Sequence, residues 1–362
     1  MMKPNICLIS PFGAPLFYPG LAGGHGGAEV QFYFLAKELA RRGAAVTFIA
    51  GDRGQPAEDT VDGVRLLSYP QKPTVGGRLG LQRAMWKAKA RVYLQAATGS
   101  TTKEVAFFTV WARRRFVYWI ASDMDCSAEL TRIGNGPPRN KWFLWGLRRA
   151  DLIIAQHEGQ RHLLRQNERL DSVVIPNGFP PVPPASGRRD YHLWIGKANS
   201  LKRPELLIEL ARRFPGERFR MICPEDVSNP LWMDKIRKGL AETPNIERTD
   251  RVPFDKMGAE LARARTLLIT SILEGYPNTL VQALWHGVPV VSLNVDPGGM
   301  IAGRGLGVMA NDDFEAFCRS FGDMIANPRQ WAETSARARD YAECELSISR
   351  MTDRFLDATK GL

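Results

Sequence analysis

The chain has few cysteines and no long apolar run, and both shortages exclude classes of protein. Its five cysteines are scattered over 362 residues without a Cys-x-x-Cys pair, which argues against a zinc site or a disulfide framework. We expect reduced core thiols in a cytoplasmic protein. No apolar stretch approaches the roughly 20 residues that span a bilayer. Residues 4–10 are too few for a secretory signal and are predicted to form a first strand.

Acidic residues are in the minority. The 38 Asp and Glu residues face 49 Lys and Arg residues, which leaves a net charge of +11. Such a surplus suits nucleic acid, an anionic membrane surface or phosphorylated substrates. No zinc-finger or aromatic RNA-binding pattern occurs, so we expect no nucleic acid partner. The basic stretch 76–97 is predicted to be a helix that either lies on a membrane or packs as an ordinary surface helix.

The tight Gly-x-Gly-x-x-Gly turn of a dinucleotide-binding fold is also missing. A glycine-rich loop at residues 11–27 leads into a predicted helix at 28–42, but it is too long for that turn. A nicotinamide dehydrogenase is therefore disfavoured, although Asp52 stands near the end of the second predicted strand. Residues 104–109 and 116–121 are predicted strands. The length suits two domains, which a proline-rich linker at 180–189 would join.

The most informative stretch runs from Ser271 to Asp296 and is predicted to be a loop, a helix and a strand after a buried strand at 266–270. Pro277 is predicted to be the first helical residue, and Gly287 is predicted to end the helix. The start of this helix would offer free N–H groups to a phosphate. These groups belong to Asn278, Thr279 and Leu280.

Glu274 lies just before this predicted helix. Because a carboxylate repels phosphate, Glu274 is better suited to accept hydrogen bonds from neutral hydroxyl groups, such as those of a sugar. Gln282 follows about two helical turns later and could make a second bidentate polar contact. The alternative is an ordinary crossover between strands with a solvated Glu274.

The run Glu-Gly-Tyr-Pro-Asn-Thr-Leu-Val-Gln-Ala-Leu resembles the donor-binding signature of the retaining GT-B glycosyltransferases of family 4 (glycosyl transferases group 1). That family has Glu, seven residues and a second Glu, whereas this chain has Gln282 in the second place. The resemblance implies that Glu274 contacts the transferred sugar and Gln282 the ribose. Together with Val295-Asp296-Pro297, the Gln marks either a subgroup of the family or a chain that has lost activity.

A second motif, Gly196-Lys197 followed by Lys202-Arg203-Pro204, resembles the phosphate-binding loop of the same family. The resemblance implies that Lys197 and Lys202 neutralise the donor diphosphate and stabilise the leaving nucleoside diphosphate. Lys197 stands where Arg is usual and lacks the planar fork of Arg. Further donor contacts are implied for Gly26 and Gly27 in the first half, and for Pro224, Val252 and Gly275 in the second.

Asp123 and Asp125 form an Asp-x-Asp pair, which is the metal–diphosphate motif of a different glycosyltransferase fold. The doubly wound pattern of this chain argues against that fold, so we expect no metal. The resembled family often has a His near this point that contacts the transferred sugar. In this chain Asp123 would replace that contact.

The resemblance implies an α/β protein of the GT-B type, with two facing Rossmann-like doubly wound domains and a cleft between them. Residues 1–180 would bind the acceptor, residues 190–342 would bind the donor, and the last helix, 345–360, would pack back on the first domain. The implied reaction moves a sugar from a nucleotide-diphosphate sugar to a glycan, lipid-linked or small-molecule acceptor with retained configuration, without metal or cofactor.

Such a reaction implies a role in cell-surface polysaccharide or glycoconjugate synthesis at the inner face of the membrane. Two alternatives stay open. One is a catalytically silent protein that binds nucleotide sugars. The other is a GT-B-like sugar-nucleotide epimerase, which would need acid and base carboxylates beyond Glu274.

Overall fold

The computed structural model describes residues 4–21, 24–72, 74–97, 99–133, 139–184, 187–225 and 230–362. The chain divides into two compact units. The first unit comprises the residues up to Pro180 together with Ser347–Leu362, and the second runs from Pro181 to Leu346. No helix in the described ranges is long and apolar enough to cross a bilayer.

The first unit is built on an eight-stranded sheet with the order β3-β4-β2-β1-β5-β6-β7-β8. Its strand pairs are parallel except β3 with β4. The strands are β1 (Asn5–Ile9), β2 (Ala45–Gly51), β3 (Glu58–Val61), β4 (Val64–Tyr69), β5 (Val92–Ala96), β6 (Arg115–Trp119), β7 (Leu152–Ala155) and β8 (Val173–Val174). The helices are α1 (Ala14–Phe17), α2 (Gly27–Arg41), α3 (Val75–Ala88), α4 (Ser100–Trp111), α5 (Ala128–Ile133), α6 (Lys141–Leu147) and α7 (Glu158–Glu168), with α15 (Ile348–Thr359) from the end of the chain.

Successive residues of the strands in this unit face two different cores, as the alternation of side chains in a strand requires. Ile6 and Leu8 face one core, which α2 and α15 cover. Cys7 and Ile9 face the other core, which α3, α4 and α6 cover. The sheet is therefore covered by helices on both faces, which is typical of a doubly wound α/β unit.

Two predicted elements of the first unit are wrong. The single helix expected at 76–97 is α3 followed by the strand β5, because Lys89 adopts a left-handed conformation (φ +50°) that ends the helix. The strand expected at 104–109 is part of α4. Its run of apolar residues packs on the core through Val105 and Phe108 but exposes Phe107. Periodicity cannot distinguish a strand from a helix that is apolar on both sides.

The second unit has a six-stranded sheet with the order β11-β10-β9-β12-β13-β14, and all of its pairs are parallel. The strands are β9 (Tyr191–Ile195), β10 (Phe219–Ile222), β11 (Ile246–Thr249), β12 (Ala264–Ile269), β13 (Val290–Ser292) and β14 (Gly307–Met309). The helices are α8 (Pro204–Arg213), α9 (Pro230–Ala241), α10 (Met257–Arg263), α11 (Asn278–Trp285), α12 (Met300–Gly303), α13 (Phe314–Ala326) and α14 (Pro328–Glu345). Chain order reverses between β9 and β12, which makes this the switch point of the sheet.

Candidate active site

The predicted donor residues of the second unit lie at the carboxyl edge of its sheet. The loop with Lys197 and Lys202 follows β9, and the loop with Glu274 and Gly275 follows β12. These two strands are neighbours and flank the switch point, where open α/β sheets place their ligands. Two loops that are about 70 residues apart in sequence therefore meet at one place.

The side chains of Lys202 and Glu274 form a direct ion pair between Nζ and Oε1. Ser271 Oγ donates a hydrogen bond of 2.8 Å to the same Glu274 oxygen. Both charged side chains are only about one-fifth exposed, so solvent screens the pair weakly. Within the described residues both polar contacts of the Glu274 carboxylate fall on Oε1, which leaves Oε2 as the oxygen that can accept from a ligand.

A chain of hydrogen bonds holds the Lys202 loop against the end of β12. Trp194 Nε1 donates to Thr270 Oγ1 at 2.9 Å, and Thr270 Oγ1 donates to the Lys202 carbonyl at 2.6 Å. The Ile272 N–H donates to the Leu201 carbonyl at 2.9 Å. Because Trp194 and Thr270 are buried, this chain fixes the backbone that carries the cation.

Arg203 ties the same two loops together from the next position. Its Nε donates to the Thr270 carbonyl at 2.6 Å and its Nη2 to the Ser271 carbonyl at 3.3 Å. Its Nη1 lies 2.6 Å from Asp312 Oδ1, just beyond β14. The residue has a left-handed backbone (φ +49°), a conformation that costs an L-residue some energy and needs support from its contacts.

The helix α11 begins one residue later than expected. Pro277 is its N-cap and not its first helical residue, because its ψ of 125° is extended. The Leu280 N–H donates to the Pro277 carbonyl at 3.1 Å, so this amide already has a partner. Asn278 and Thr279 stand at the first two helical positions, beside the Glu274 loop. Anions are stabilised at such a helix start.

Two further residues of the signature have different surroundings. Gln282 lies on α11 and is largely buried. Asp296 accepts hydrogen bonds from the N–H groups of Ile301 at 2.6 Å and Ala302 at 3.2 Å. The Val-Asp-Pro element therefore holds the turn into α12, and the Asp296 carboxylate has a structural role.

The remaining predicted residues of this unit lie along the same sheet edge. Lys197 is exposed, and its carbonyl accepts from the Asn199 N–H at 3.0 Å. Gly196 lies against the ring of Trp194, where an added Cβ would be 2.7 Å from Cη2. Pro224 and Val252 are half-buried and follow β10 and β11.

In the first unit, Gly26 is the N-cap of α2 and Gly27 its first residue, and both are exposed. The Gly26 N–H donates to Glu29 Oε2 at 2.9 Å. This carboxylate would have to move before the Gly26 amide could bind a phosphate, because two anions cannot share one donor.

Asp123 follows β6 and belongs to a polar cluster that the sequence did not reveal. Its Oδ1 lies 3.0 Å from His157 Nε2 and accepts from Gln160 Nε2 at 3.0 Å. Asp125 points elsewhere and accepts the Ala121 N–H at 2.8 Å. No group of three or more metal-ligating side chains occurs in the parts of the chain that the structure describes.

His157, which contacts Asp123, is the main candidate site residue that sequence reasoning missed. It follows β7 directly, at the carboxyl edge where β6 also delivers Asp123. This position offered a usable signal, because the apolar run at residues 152–155 is typical of a buried parallel strand, and sites lie beyond the carboxyl ends of such strands. The ring lies over Gly159, where an added Cβ would be 2.9 Å from Nδ1, so only glycine fits there without a shift.

Comparisons with known families agree with this architecture. Residues 25–181 match the profile described as Glycosyltransferase Family 4, and residues 190–327 match the one described as Glycosyl transferases group 1. With the two Rossmann-like units, these matches define a glycosyltransferase of the GT-B fold. The chain is thus a GT-B glycosyltransferase whose N-terminal part matches a family 4 profile and whose C-terminal part matches a group 1 profile. A sequence search of curated proteins gives no match.

Solved structures share the fold at low sequence identity. Sucrose-phosphate synthase from Thermosynechococcus elongatus is 15% identical, with 99% of each chain covered and a TM-score of 0.78. Anabaena HepE in complex with UDP and glucose is 16% identical over 99% of this chain and 100% of its own, with a TM-score of 0.74. TarM from S. aureus, in a complex that includes UDP, is 17% identical over 78% of this chain and 59% of its own, with a TM-score of 0.65.

Proposed function

We propose that the chain transfers a sugar from a nucleotide-diphosphate sugar to a hydroxyl group of an acceptor, with retained anomeric configuration and without a metal ion. The ion pair between Lys202 and Glu274 carries this proposal. It places a cation and a hydrogen-bond acceptor side by side at the switch point of the second unit. A nucleotide sugar offers complementary groups side by side, because its anionic diphosphate is joined to a sugar ring that carries neutral hydroxyls.

Lys202 would stabilise the charge that develops on the leaving group. As the bond between the anomeric carbon and the diphosphate oxygen breaks, negative charge grows on the nucleoside diphosphate. An ammonium group has three N–H donors, so Lys202 can bind a phosphate oxygen while it still contacts Glu274. Lys197 and the start of α11 would add to this stabilisation from the exposed side.

Glu274 would orient the sugar through its Oε2. Its Oε1 is occupied by Ser271 and Lys202, so the carboxylate is held in one orientation before the donor arrives. Fixing the sugar in this way lowers the entropy cost of reaching the transition state. In a retaining reaction without an enzymic nucleophile, the acceptor hydroxyl attacks from the side of the leaving group. Its proton then passes to the departing phosphate oxygen.

Gln282, Pro224 and Val252 would contact the nucleoside, and the acceptor would bind to the first unit, where Asp123 and His157 meet. The acceptor is a glycan, a lipid-linked glycan or a small molecule. TarM was solved with a GlcNAc-glycerol and HepE with UDP-glucose, which supports a hydroxyl-bearing acceptor and a uridine donor as the first to be tried. The reaction class fits surface polysaccharide or glycoconjugate synthesis.

Thermal shift against UDP-, GDP-, ADP- and TDP-sugars, with and without chelator, is the first test. A ligand at about a hundred times its dissociation constant adds roughly 2.7 kcal/mol of apparent stability. We expect the nucleotide sugars of one base to raise the melting temperature of the protein. Chelator should leave this increase unchanged. A shift with NAD alone would overturn the proposal. The anomeric configuration of the product, read by NMR, tests retention.

Two variants then test the roles of the ion pair. Lys202→Met should weaken binding of the free nucleoside diphosphate about tenfold or more, because it removes a charge-assisted hydrogen bond. Glu274→Gln should keep that binding within a few-fold but lower turnover by about a hundredfold, because orientation of the sugar is lost. The matched controls are Lys238→Met, at an exposed residue on α9, and Glu209→Gln, at a half-buried residue on α8.

The two alternative functions, a silent binding protein and an epimerase, predict different results for the wild type and the same variants. A silent binding protein would show donor binding without transfer or hydrolysis. An epimerase would convert the sugar nucleotide in the absence of an acceptor. Either result would contradict the proposed reaction, and a donor shift that survives Lys202→Met unchanged would contradict the proposed site.

A further inference from the structure

The exposed apolar side chains of the protein are concentrated on three helices of the first unit. Among the described residues, seven of the ten large apolar side chains that are exposed lie on α3, α4 and α6. Phe107 and Trp111 on α4 are 61% and 66% exposed. The inner sides of these helices pack on the sheet, so their outer sides form one surface of the unit. Exposed clusters of this kind usually mark an interaction site.

Each of the two longer helices presents its apolar residues as a stripe. On α3 the exposed residues are Val75, Leu79 and Trp86, spaced four and seven apart. On α4, Phe107 and Trp111 are four apart. Such spacings put the side chains on one face of a helix. Both helices therefore carry a second apolar face in addition to the one that packs on the core.

The stripes are joined by ring contacts. The rings of Trp86 and Trp111 meet edge to face at 5.2 Å between centroids, and Trp86 also contacts the core residue Phe108 at 5.6 Å. Lys103 Nζ lies 5.7 Å from the ring centroid of Trp142 on α6. The aromatic side chains thus form a connected surface that rests on the core.

Cations surround this surface. Residues 75–88, 100–115 and 141–149 contain ten Lys or Arg residues and one acid, Glu104. Several of the ten pair with carboxylates, as Lys87 does with Glu58 at 2.6 Å. Arg83, Arg114 and Arg149 are exposed and have no carboxylate within 4 Å in the described ranges. We call the exposed side chains of α3, α4 and α6, with these cations, the basic aromatic face.

We propose that the basic aromatic face docks on the headgroup region of an anionic lipid bilayer, with Trp86, Phe107 and Trp111 inserted at the interface. Tryptophan is enriched at the level of lipid headgroups, because its ring is apolar and its N–H is polar. Surrounding cations are attracted to anionic lipids. A second copy of the chain fits less well, because a symmetric dimer through this face would bring like charges together.

Cosedimentation with lipid vesicles tests this docking without nucleotide or transfer, so its result is independent of the proposed reaction. The probes are phosphatidylcholine vesicles with and without phosphatidylglycerol, at low and high salt. We expect binding to the anionic vesicles only, and loss of binding at high salt. Brominated lipids should quench the tryptophan fluorescence of the bound protein.

Variants locate the docking face. Phe107→Ser with Trp111→Ser should lower the vesicle partition coefficient at least tenfold, because both side chains would leave the interface. Arg83→Gln, Arg114→Gln and Arg149→Gln should each cost about fivefold, as expected for one cation near an anionic surface. Leu231→Ser with Arg319→Gln in the second unit is the matched control and should bind as the wild type does. Circular dichroism and thermal melting verify that each variant is folded.

Three results would overturn the proposal. The first is no binding of the wild type to anionic vesicles at low salt. The second is equal binding by the wild type and the Phe107 and Trp111 double variant, because the docking face would then lie elsewhere. The third is a concentration-dependent dimer without lipid that the double variant abolishes, which would assign the face to a second copy of the chain.

Discussion

Glu274 illustrates how surroundings decide the use of a single carboxylate. Ser271 and Lys202 both contact its Oε1, so the side chain would lose little further entropy on binding a sugar through Oε2, as proposed above. The same cation that orients Glu274 also reduces the repulsion between this carboxylate and an incoming diphosphate. From the sequence, Glu274 was expected to bind neutral hydroxyls because a carboxylate repels phosphate. With Lys202 paired to it, Glu274 can also lie directly beside a bound phosphate.

His286 provides a residue-scale prediction about pH and stability. Burial, with smaller contributions from the cations Arg189 and Arg339, lowers the pKa of His286 from 6.5 to about 4. Between these values the unfolded chain binds a proton that the folded chain does not bind, so the fold loses stability as the pH falls from about 6.5 to 4. We expect His286→Gln to reduce the slope of melting temperature against pH in this window.

The control for this prediction is His162→Gln, which changes an exposed histidine on α7 and should leave the slope unchanged. Some slope should persist in the His286 variant, because burial also lowers the pKa of His192 in the core of the second unit. A His286→Gln melting curve parallel to that of the wild type across the whole window would refute the assignment.

At the residue scale, the sequence motifs named candidate residues but did not reveal all the contacts that these residues make. Lys202 and Glu274 could be named from motifs, and the structure brings them together. The pairing of Asp123 with His157 could not be seen, because it joins two loops 34 residues apart, and spacing along the chain carries no information on side-chain direction.

At the scale of elements, Arg203 joins the two loops of the candidate donor site. Its guanidinium contacts the Thr270 and Ser271 carbonyls and the Asp312 carboxylate, so one side chain spans the ends of β12 and β14 from the start of α8. These contacts determine the separation of Lys202 and Glu274. A change in Arg203 should therefore alter catalysis although the residue touches neither charged group.

We expect Arg203→Lys to lower kcat by tenfold to about a hundredfold, since misplacement by about 1 Å can cost that much. Lysine keeps the charge but lacks the planar fork of donors with which Arg203 reaches two carbonyls and a carboxylate. The affinity for the free nucleoside diphosphate should fall much less, because Lys202 itself is retained. The measurement is steady-state kinetics beside calorimetric titration with the nucleotide. Arg212→Lys on α8 is the matched control, and equal kinetics for both variants would refute the role.

Element boundaries were predictable where strong local signals occur and not elsewhere. The start of α8 has such a signal, because Pro204 is its first residue and proline is favoured at that position. In contrast, β5 and α4 were misassigned. Val92-Tyr-Leu-Gln-Ala follows a helix with no glycine or proline between them, and α4 is apolar on both sides. The second apolar side of α4 is exposed and forms part of the basic aromatic face.

At the scale of the whole molecule, the last helix belongs to the unit with which the chain begins. Ile348, Met351 and Phe355 of α15 are buried in the core that α2 covers, and Phe355 stacks on Trp119 with 6.4 Å between ring centroids. Arg42 at the end of α2 donates to the Ser349 carbonyl at 2.8 Å. The first unit is thus completed only when the final residues of the chain are in place.

This arrangement predicts that the core of the first unit depends on Phe355, which is fully buried. Phe355→Ala should destabilise that unit by about 3–5 kcal/mol, through lost burial and the cavity left behind. In hydrogen exchange followed by mass spectrometry, peptides from β1, β2 and α2 should lose protection. Peptides from β9, β10 and α13 should keep theirs, because the core that these elements share contains no residue of α15.

Phe321→Ala is the matched control, since Phe321 is equally buried in the core of the second unit. It should reverse the pattern, with protection lost around β9 and kept around β1. If both substitutions instead lowered protection across all peptides to the same extent, the two units would unfold as one cooperative body. The division of the chain into two compact units would then describe its contacts but not its stability. Destabilising either core would lower the free energy of unfolding of both units.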